Sequence, residues 1–140
     1  MKPSAAARSK SRQYLVQALY QAQMTGDSFS AVTEPFITDH NMKRADLDYF
    51  RDALQTIETD KEELITLIGS AGEKTFEELD PVERGVLLLG CYELKSRIDV
   101  PYRVVINEGI ELARSFGATD SYKYINSVLD KLAGQLRPHG

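Results

Sequence analysis

Chemistry-bearing residues are scarce in this chain, and each shortage removes a class of function. Among 140 residues there is a single cysteine, Cys91, set among leucines. That excludes an internal disulfide and suits a reducing, cytoplasmic setting. The two histidines, His40 and His139, lie far apart in sequence, so neither a zinc cluster nor a Cys–His nucleophile is expected. No Gly-rich phosphate loop of the Walker or dinucleotide type is present, so no nucleotide cofactor is expected and no metal either. No apolar run approaches the roughly 20 residues that cross a bilayer. The basic N-terminus is not followed by the apolar stretch of a secretory leader. Strand alternation is never sustained, and repeats, low-complexity tracts and interdomain linkers are missing.

What is present describes a soluble globular protein, with 42% hydrophobic and 27% charged residues. The length predicts one domain over residues 1–140, large enough for a real core. The net charge of −4 conceals an asymmetry. Residues 1–24 carry Lys2, Arg8, Lys10 and Arg12 and no acid, leaving the rest of the chain acidic. A basic segment on an acidic body points toward nucleic acid, and a solvated, frayed terminus gives the same pattern. Residues 1–8 are expected to form a flexible basic arm.

Helical periodicity runs through nearly the whole chain and predicts an all-α fold of about seven helices. Residues 9–24 read as a first helix with Leu15, Ala18, Leu19 and Ala22 inward. Residues 28–40 are weaker, and Pro35 implies a short or kinked element. Asp46 caps a third helix with Leu47, Phe50, Leu54 and Ile57 as its seam. Thr59 and Glu62 have capping-box spacing for a fourth, carrying Leu64, Leu67 and Ile68. Asp80, Pro81 and Glu83 announce a fifth. Its continuation, Val86 to Leu94, is apolar nearly all round, which places it in the middle of the domain. Pro101 opens a sixth, and Gly117 is expected to stop it in a left-handed turn. Thr119 or Asp120 then caps a seventh, with Ile125, Val128, Leu129, Leu132 and Leu136 inward.

Little in this pattern is catalytic. Glu108 and Glu111 lie one turn apart, but Arg103, Asn107, Glu111 and Arg114 share one polar stripe, where ordinary helix-surface pairing accounts for Glu111. The first helix is more informative. Steps of about 100° place Gln13, Gln17, Tyr20 and Met24 roughly opposite the apolar face. An aromatic ring on a glutamine-rich face beside basic residues suits single-stranded RNA, with cations on phosphates and a base on the ring. Tyr20 tucked under the loop at Gly26, or packed on a second helix layer, is the structural alternative. The exposure of Tyr14, Tyr122 and Tyr124 is left open.

Five segments in order carry a resemblance: VQALYQAQ (Val16–Gln23), YFRDAL (Tyr49–Leu54), CYEL (Cys91–Leu94), DVPYRVVINEGIELARSFG (Asp99–Gly117) and NSVLDKL (Asn126–Leu132). Together they closely resemble the bacterial NusB family of transcription antitermination factors, over essentially the whole chain. The resemblance implies a fold of two roughly perpendicular three-helix bundles sharing helices. It implies an RNA-binding adaptor, not an enzyme, that pairs with NusE, the small-ribosomal-subunit protein that doubles as a transcription factor. The pair would bind boxA-type nascent RNA and help assemble an antitermination complex on RNA polymerase, notably in ribosomal RNA transcription.

By position, Lys2, Arg8, Lys10 and Arg12 resemble the family's RNA-binding N-terminus, and Tyr20 its aromatic contact. Asp120, Lys123 and Tyr124 resemble a second RNA-facing patch. Glu77 and Glu83 lie in the region resembling the NusE-binding surface, where an acidic body suits a basic partner. Capping explains Glu83 as well, and an N-cap role suits Asp120. Ala5, Ala6, Ala7, Ser9 and Ser11 dilute an arm that is often arginine-dense in the family. About four phosphate contacts on a single strand imply a salt slope near −3, hence weak RNA binding without NusE. Self-association is known in the family, and the sequence leaves monomer and homodimer both open. Two alternatives differ in kind. A NusB-like domain of an RNA methyltransferase would need a cofactor domain for which 140 residues leave no room. A protein-binding scaffold without an RNA role would be indifferent to neutralising Arg8, Lys10 and Arg12.

Overall fold

The computed structural model, which describes residues 4–139, opens with a helix that starts earlier than the sequence pattern implies. Helix α1 spans Ala5–Thr25. Ser4 accepts a hydrogen bond from Ala7 N at 3.0 Å, a good N-cap ahead of three alanines, the best helix formers. The expected arm is therefore helical from residue 5, and the alanines that dilute its charge carry the helix through it. Lys2 lies outside the described residues. Gly26, left-handed at φ 80°, ends α1 and bonds back to Ala22 O.

A short α2 (Thr33–Asp39) has Pro35 in its first turn and buries Phe36. Asp46 caps α3 (Leu47–Thr59), its Oδ1 accepting from Tyr49 N at 3.1 Å. The capping box expected at Thr59 and Glu62 does not form. Thr59 is instead the last residue of α3, its hydroxyl donating to Gln55 O, and α4 (Lys61–Ala71) follows after Asp60 alone. A 3₁₀ turn at Phe76–Glu78 carries its own capping box between Thr75 and Glu78. Helix α5 (Pro81–Ser96) begins with the Asp80–Glu83 box, and every residue from Gly85 to Leu94 is buried. Helices α6 (Tyr102–Phe116) and α7 (Ser121–Leu136) complete the fold. The turn between them differs from expectation. Gly117 is extended at φ −94°, and Asp120 takes the left-handed conformation at φ 72°. Asp120 sits at the N-cap position of α7, but its carboxylate makes no capping bond. Aspartate is among the few side chains that tolerate this backbone.

Among the described residues there are seven α-helices and no strand. Helix α5 is the shared element: it touches the contacting pair α1 and α3, the contacting pair α6 and α7, and α4 as well. Leu129 of α7 explains how closely the second group packs. A Cβ added at Gly90 in α5 would stand 2.6 Å from Leu129 Cδ2, and one at Gly109 in α6 would stand 2.5 Å from Cδ1. The two glycines form the slot that this leucine fills. At the far end of α5, Arg137 Nε donates to Leu94 O at 3.0 Å, and Nη2 donates to Glu93 O at 2.9 Å and Arg97 O at 2.8 Å. A cation on those carbonyls satisfies the orphan acceptors at the negative end of the helix dipole.

Candidate nucleic-acid interface

The early start of α1 decides what its basic residues do. At 100° per residue, Arg8 and Arg12 turn toward the same side as Leu15 and Leu19, whereas Lys10 turns outward. Arg12 is 3% exposed. Its Nε lies 3.0 Å from Glu93 Oε2, its Nη2 2.9 Å from the same oxygen, and its Nη1 3.4 Å from Glu108 Oε1. Ser9 Oγ donates to Glu108 as well, which gives that carboxylate a structural role. Arg8 bridges Asp46 at 3.4 Å and Asp99 at 2.8 Å. The guanidinium carbons of Arg8, Arg97 and Arg12 stand 4.7, 4.9 and 5.7 Å from the Tyr49 ring centroid. Tyr49 donates its hydroxyl to Glu93. Burial, with the Glu93 charge, pushes the Tyr49 phenol up and keeps it a donor. Burial also pushes the Glu93 carboxyl up, against the pull of Arg12 and the Tyr49 hydrogen bond. Burial likewise lifts the Cys91 thiol to about 12, so it is no nucleophile near neutral pH. Arg12 is thus held in a buried ion pair and Arg8 bridges two carboxylates, so both are committed to acidic partners within the fold.

The opposite face of α1 is a different surface. Lys10, Gln13, Tyr14, Gln17, Tyr20, Gln21 and Met24 fall within about 120° of one another. Tyr20 is 43% exposed and Met24 60%, so Tyr20 does not tuck away. Beside it opens a groove of about 500 Å³, lined by Val16, Gln17, Tyr20, Gln21, Phe36, His40, Val82 and Phe116. Phe116, the last residue of α6, is 37% exposed. His40 stacks on Phe36 with centroids 3.7 Å apart and planes at 12°. An apolar trough edged by two exposed rings, amides and an imidazole offers a base both a stacking platform and hydrogen-bonding groups. Phe116 and His40 join the site without a sequence signal. They lie at the ends of α6 and α2, and only the fold brings them beside α1.

The other expected positions divide. Lys123 is exposed and its Nζ lies 3.4 Å from Asp120 Oδ1, so the two form a surface pair at the start of α7. Tyr124 is half-buried: its hydroxyl accepts from Lys74 N at 3.0 Å and blocks the space beside Gly72, which ties it to the link between α4 and α5. Glu77 is exposed. Glu83 is buried; its Oε1 accepts from Asp80 N at 3.1 Å and its Oε2 from Ser121 Oγ at 3.2 Å. Capping, not partner contact, accounts for Glu83. Among the described residues no group of three or more His, Cys, Asp or Glu is placed to hold a metal ion. No helix among them is long and apolar enough to cross a membrane.

Comparison with known proteins relates the chain to others by sequence and by fold. The sequence pattern that defines the NusB family matches residues 9–134. The transcription antitermination protein NusB of Pseudomonas savastanoi pv. phaseolicola is 48% identical over 97% of this chain and 82% of its own length. That of Edwardsiella ictaluri is 45% identical over 99% of both chains. The solved structure of T. maritima NusB superposes with a TM-score of 0.83 at 28% identity, covering 96% of this chain and 94% of that one.

Proposed function

This chain belongs to the NusB family, whose members are transcription antitermination proteins and not enzymes, and on that premise we propose that it is an RNA-binding adaptor of nascent transcripts. In this reading it pairs with NusE and holds boxA-type RNA, helping to assemble the antitermination complex on RNA polymerase, notably during ribosomal RNA transcription in the cytoplasm. The observation that carries the RNA role is Tyr20, 43% exposed at the edge of the groove it shares with Phe116 and His40. Bases stack on such rings with little regard to sequence, and the amides of Gln17 and Gln21 supply the selective contacts. Lys10 and Lys123 supply phosphate attraction, and Asp120 and Tyr124 flank the second patch. With Arg8 and Arg12 engaged internally, the face alone holds RNA weakly. NusE, meeting the acidic side around Glu77, adds a second RNA surface and raises the effective concentration of the first.

Fluorescence anisotropy with a labelled boxA-type RNA, with and without NusE, tests this. Strong enhancement by NusE that is lost in Tyr20→Ala, while NusE pairing survives, is the expected outcome. No sequence-selective binding even with NusE leaves a protein-binding scaffold as the better account.

A further inference from the structure

The link between α2 and α3, residues 40–46, lies along the first half of α1 and is pinned to it at both ends. Tyr14 donates its hydroxyl to Asn41 O at 3.0 Å. Asp46 N bonds to Ala7 O at 3.3 Å and to Ser11 Oγ at 2.8 Å. Between these anchors Ala45 N bonds to Met42 O at 3.0 Å, closing a turn over the buried Met42 side chain. The two residues at the tip, Lys43 and Arg44, are exposed. Among the described residues neither forms an ion pair, and neither does Lys10. Lys10 Nζ stands 5.7 Å from the Tyr14 ring centroid, the same ring that anchors the loop. The loop's own acid, Asp46, has a 5% exposed side chain engaged with Arg8 and the start of α3.

We infer that Lys43 and Arg44 are phosphate-contacting residues that carry the RNA path from the Tyr20 groove, past Lys10, onto the α2–α3 loop. This rests on the RNA reading above and assigns it cations that the N-terminal sequence pattern does not reveal. Few cations are placed to meet the strand. A strand stacked at Tyr20 runs against a chain of net charge −4, and Arg8 and Arg12 are directed inward. Lys10 lies about 15 Å from Tyr20 along α1 at 1.5 Å per residue, roughly the length of four stacked nucleotides at 3.4 Å each. His40, at the start of the loop, already lines the groove, so groove and loop form one continuous surface. Cations held on a pinned turn lose less freedom on binding than cations on a frayed arm.

The test uses the full chain paired with NusE, a boxA-type RNA, and salt from about 50 to 200 mM. Lys43→Gln/Arg44→Gln is compared with wild type and with Tyr20→Ala. Removing two phosphate contacts should flatten the slope of log affinity against log salt by about 1.4, at about 0.7 per contact on a single strand. NusE pairing and the thermal midpoint should not change, because Met42 and Asp46 stay in place. An unchanged slope, with Tyr20→Ala still weakening binding, overturns the loop assignment and spares the RNA reading. Loss of NusE pairing with the RNA slope intact overturns it in favour of a protein contact. No RNA binding by wild type overturns both.

Discussion

Arg12 and Glu93 face each other in the interior, Nη2 2.9 Å and Nε 3.0 Å from one carboxylate oxygen, with side chains 4% and 2% exposed. Helix α1 is thereby locked to α5 through charge as well as through Leu15 and Leu19. Removing either partner leaves an uncompensated buried charge, which costs about 3–5 kcal/mol. Arg12→Ala and Glu93→Ala should each destabilise by about that much in urea titrations. The double variant should lose clearly less than the two together. Additive losses would show that the pair does not act as a unit.

Asp99 gives the α1–α6 contact a pH dependence. The hydrogen bond from Arg8, helped by the charges of Arg97 and Arg8, holds its carboxyl below the usual range. A carboxyl lowered on folding contributes stability above its ordinary pKa and loses it as pH falls through the lowered value. The side chain is 54% exposed, so solvent screening keeps the contribution below about 1 kcal/mol. Asp99→Asn should lower the thermal midpoint slightly near neutral pH. The difference from wild type should shrink as pH falls through the lowered value and vanish once Asp99 is protonated. A difference that persists in acid would rule out the ionic origin.

Leu129 in its glycine slot makes a packing prediction. Gly109→Ala puts a methyl 2.5 Å from Leu129 Cδ1, and overpacking of this kind costs about 1–3 kcal/mol. Gly134→Ala, on an open stretch of α7 with nothing within 4 Å, should instead be neutral or stabilising by up to about 1 kcal/mol. Calorimetry of the two variants separates slot packing from helix propensity.

Tyr20→Ala should weaken RNA binding by about 1–3 kcal/mol, the worth of one stacked base. Its thermal midpoint should stay near that of wild type, because the ring is 43% exposed. A large drop in stability would return Tyr20 to a structural role.

Much of the architecture is legible in the residues because several helix starts are written locally. Asp80, Pro81 and Glu83 mark α5, and Asp46 marks α3, since capping chemistry lies within a few adjacent residues. Other boundaries are not local. Thr59 and Glu62 have the right spacing for a box, but α3 runs on through Thr59 and takes its hydroxyl. At the α6–α7 turn, Gly117 is the obvious left-handed residue, yet Asp120 adopts that conformation. Within α5, Glu93 sits among apolar residues with nothing in its own segment to reveal the arginine that meets it.

The site was legible only in part, for the same reason. Tyr20 and its glutamine neighbours follow from the period of α1 alone. The fate of Arg8 and Arg12 depends on where α1 begins and on Asp46, Asp99 and Glu93, all distant in sequence. A basic segment read as a string has four equivalent cations; wound into a helix it has an inner pair and an outer lysine. His40, Phe116, Lys43 and Arg44 reach the face only through tertiary packing.

The most direct measurement is an amide chemical-shift map of the protein on addition of a boxA-type RNA in the presence of NusE. Perturbed amides are expected along the outer face of α1 around Tyr14, Tyr20 and Met24, in residues 40–44, and near Phe116 and Lys123. The amides around Glu93 and Arg137 should stay still. Perturbation confined to the surface around Glu77, or none beyond that caused by NusE alone, would contradict it.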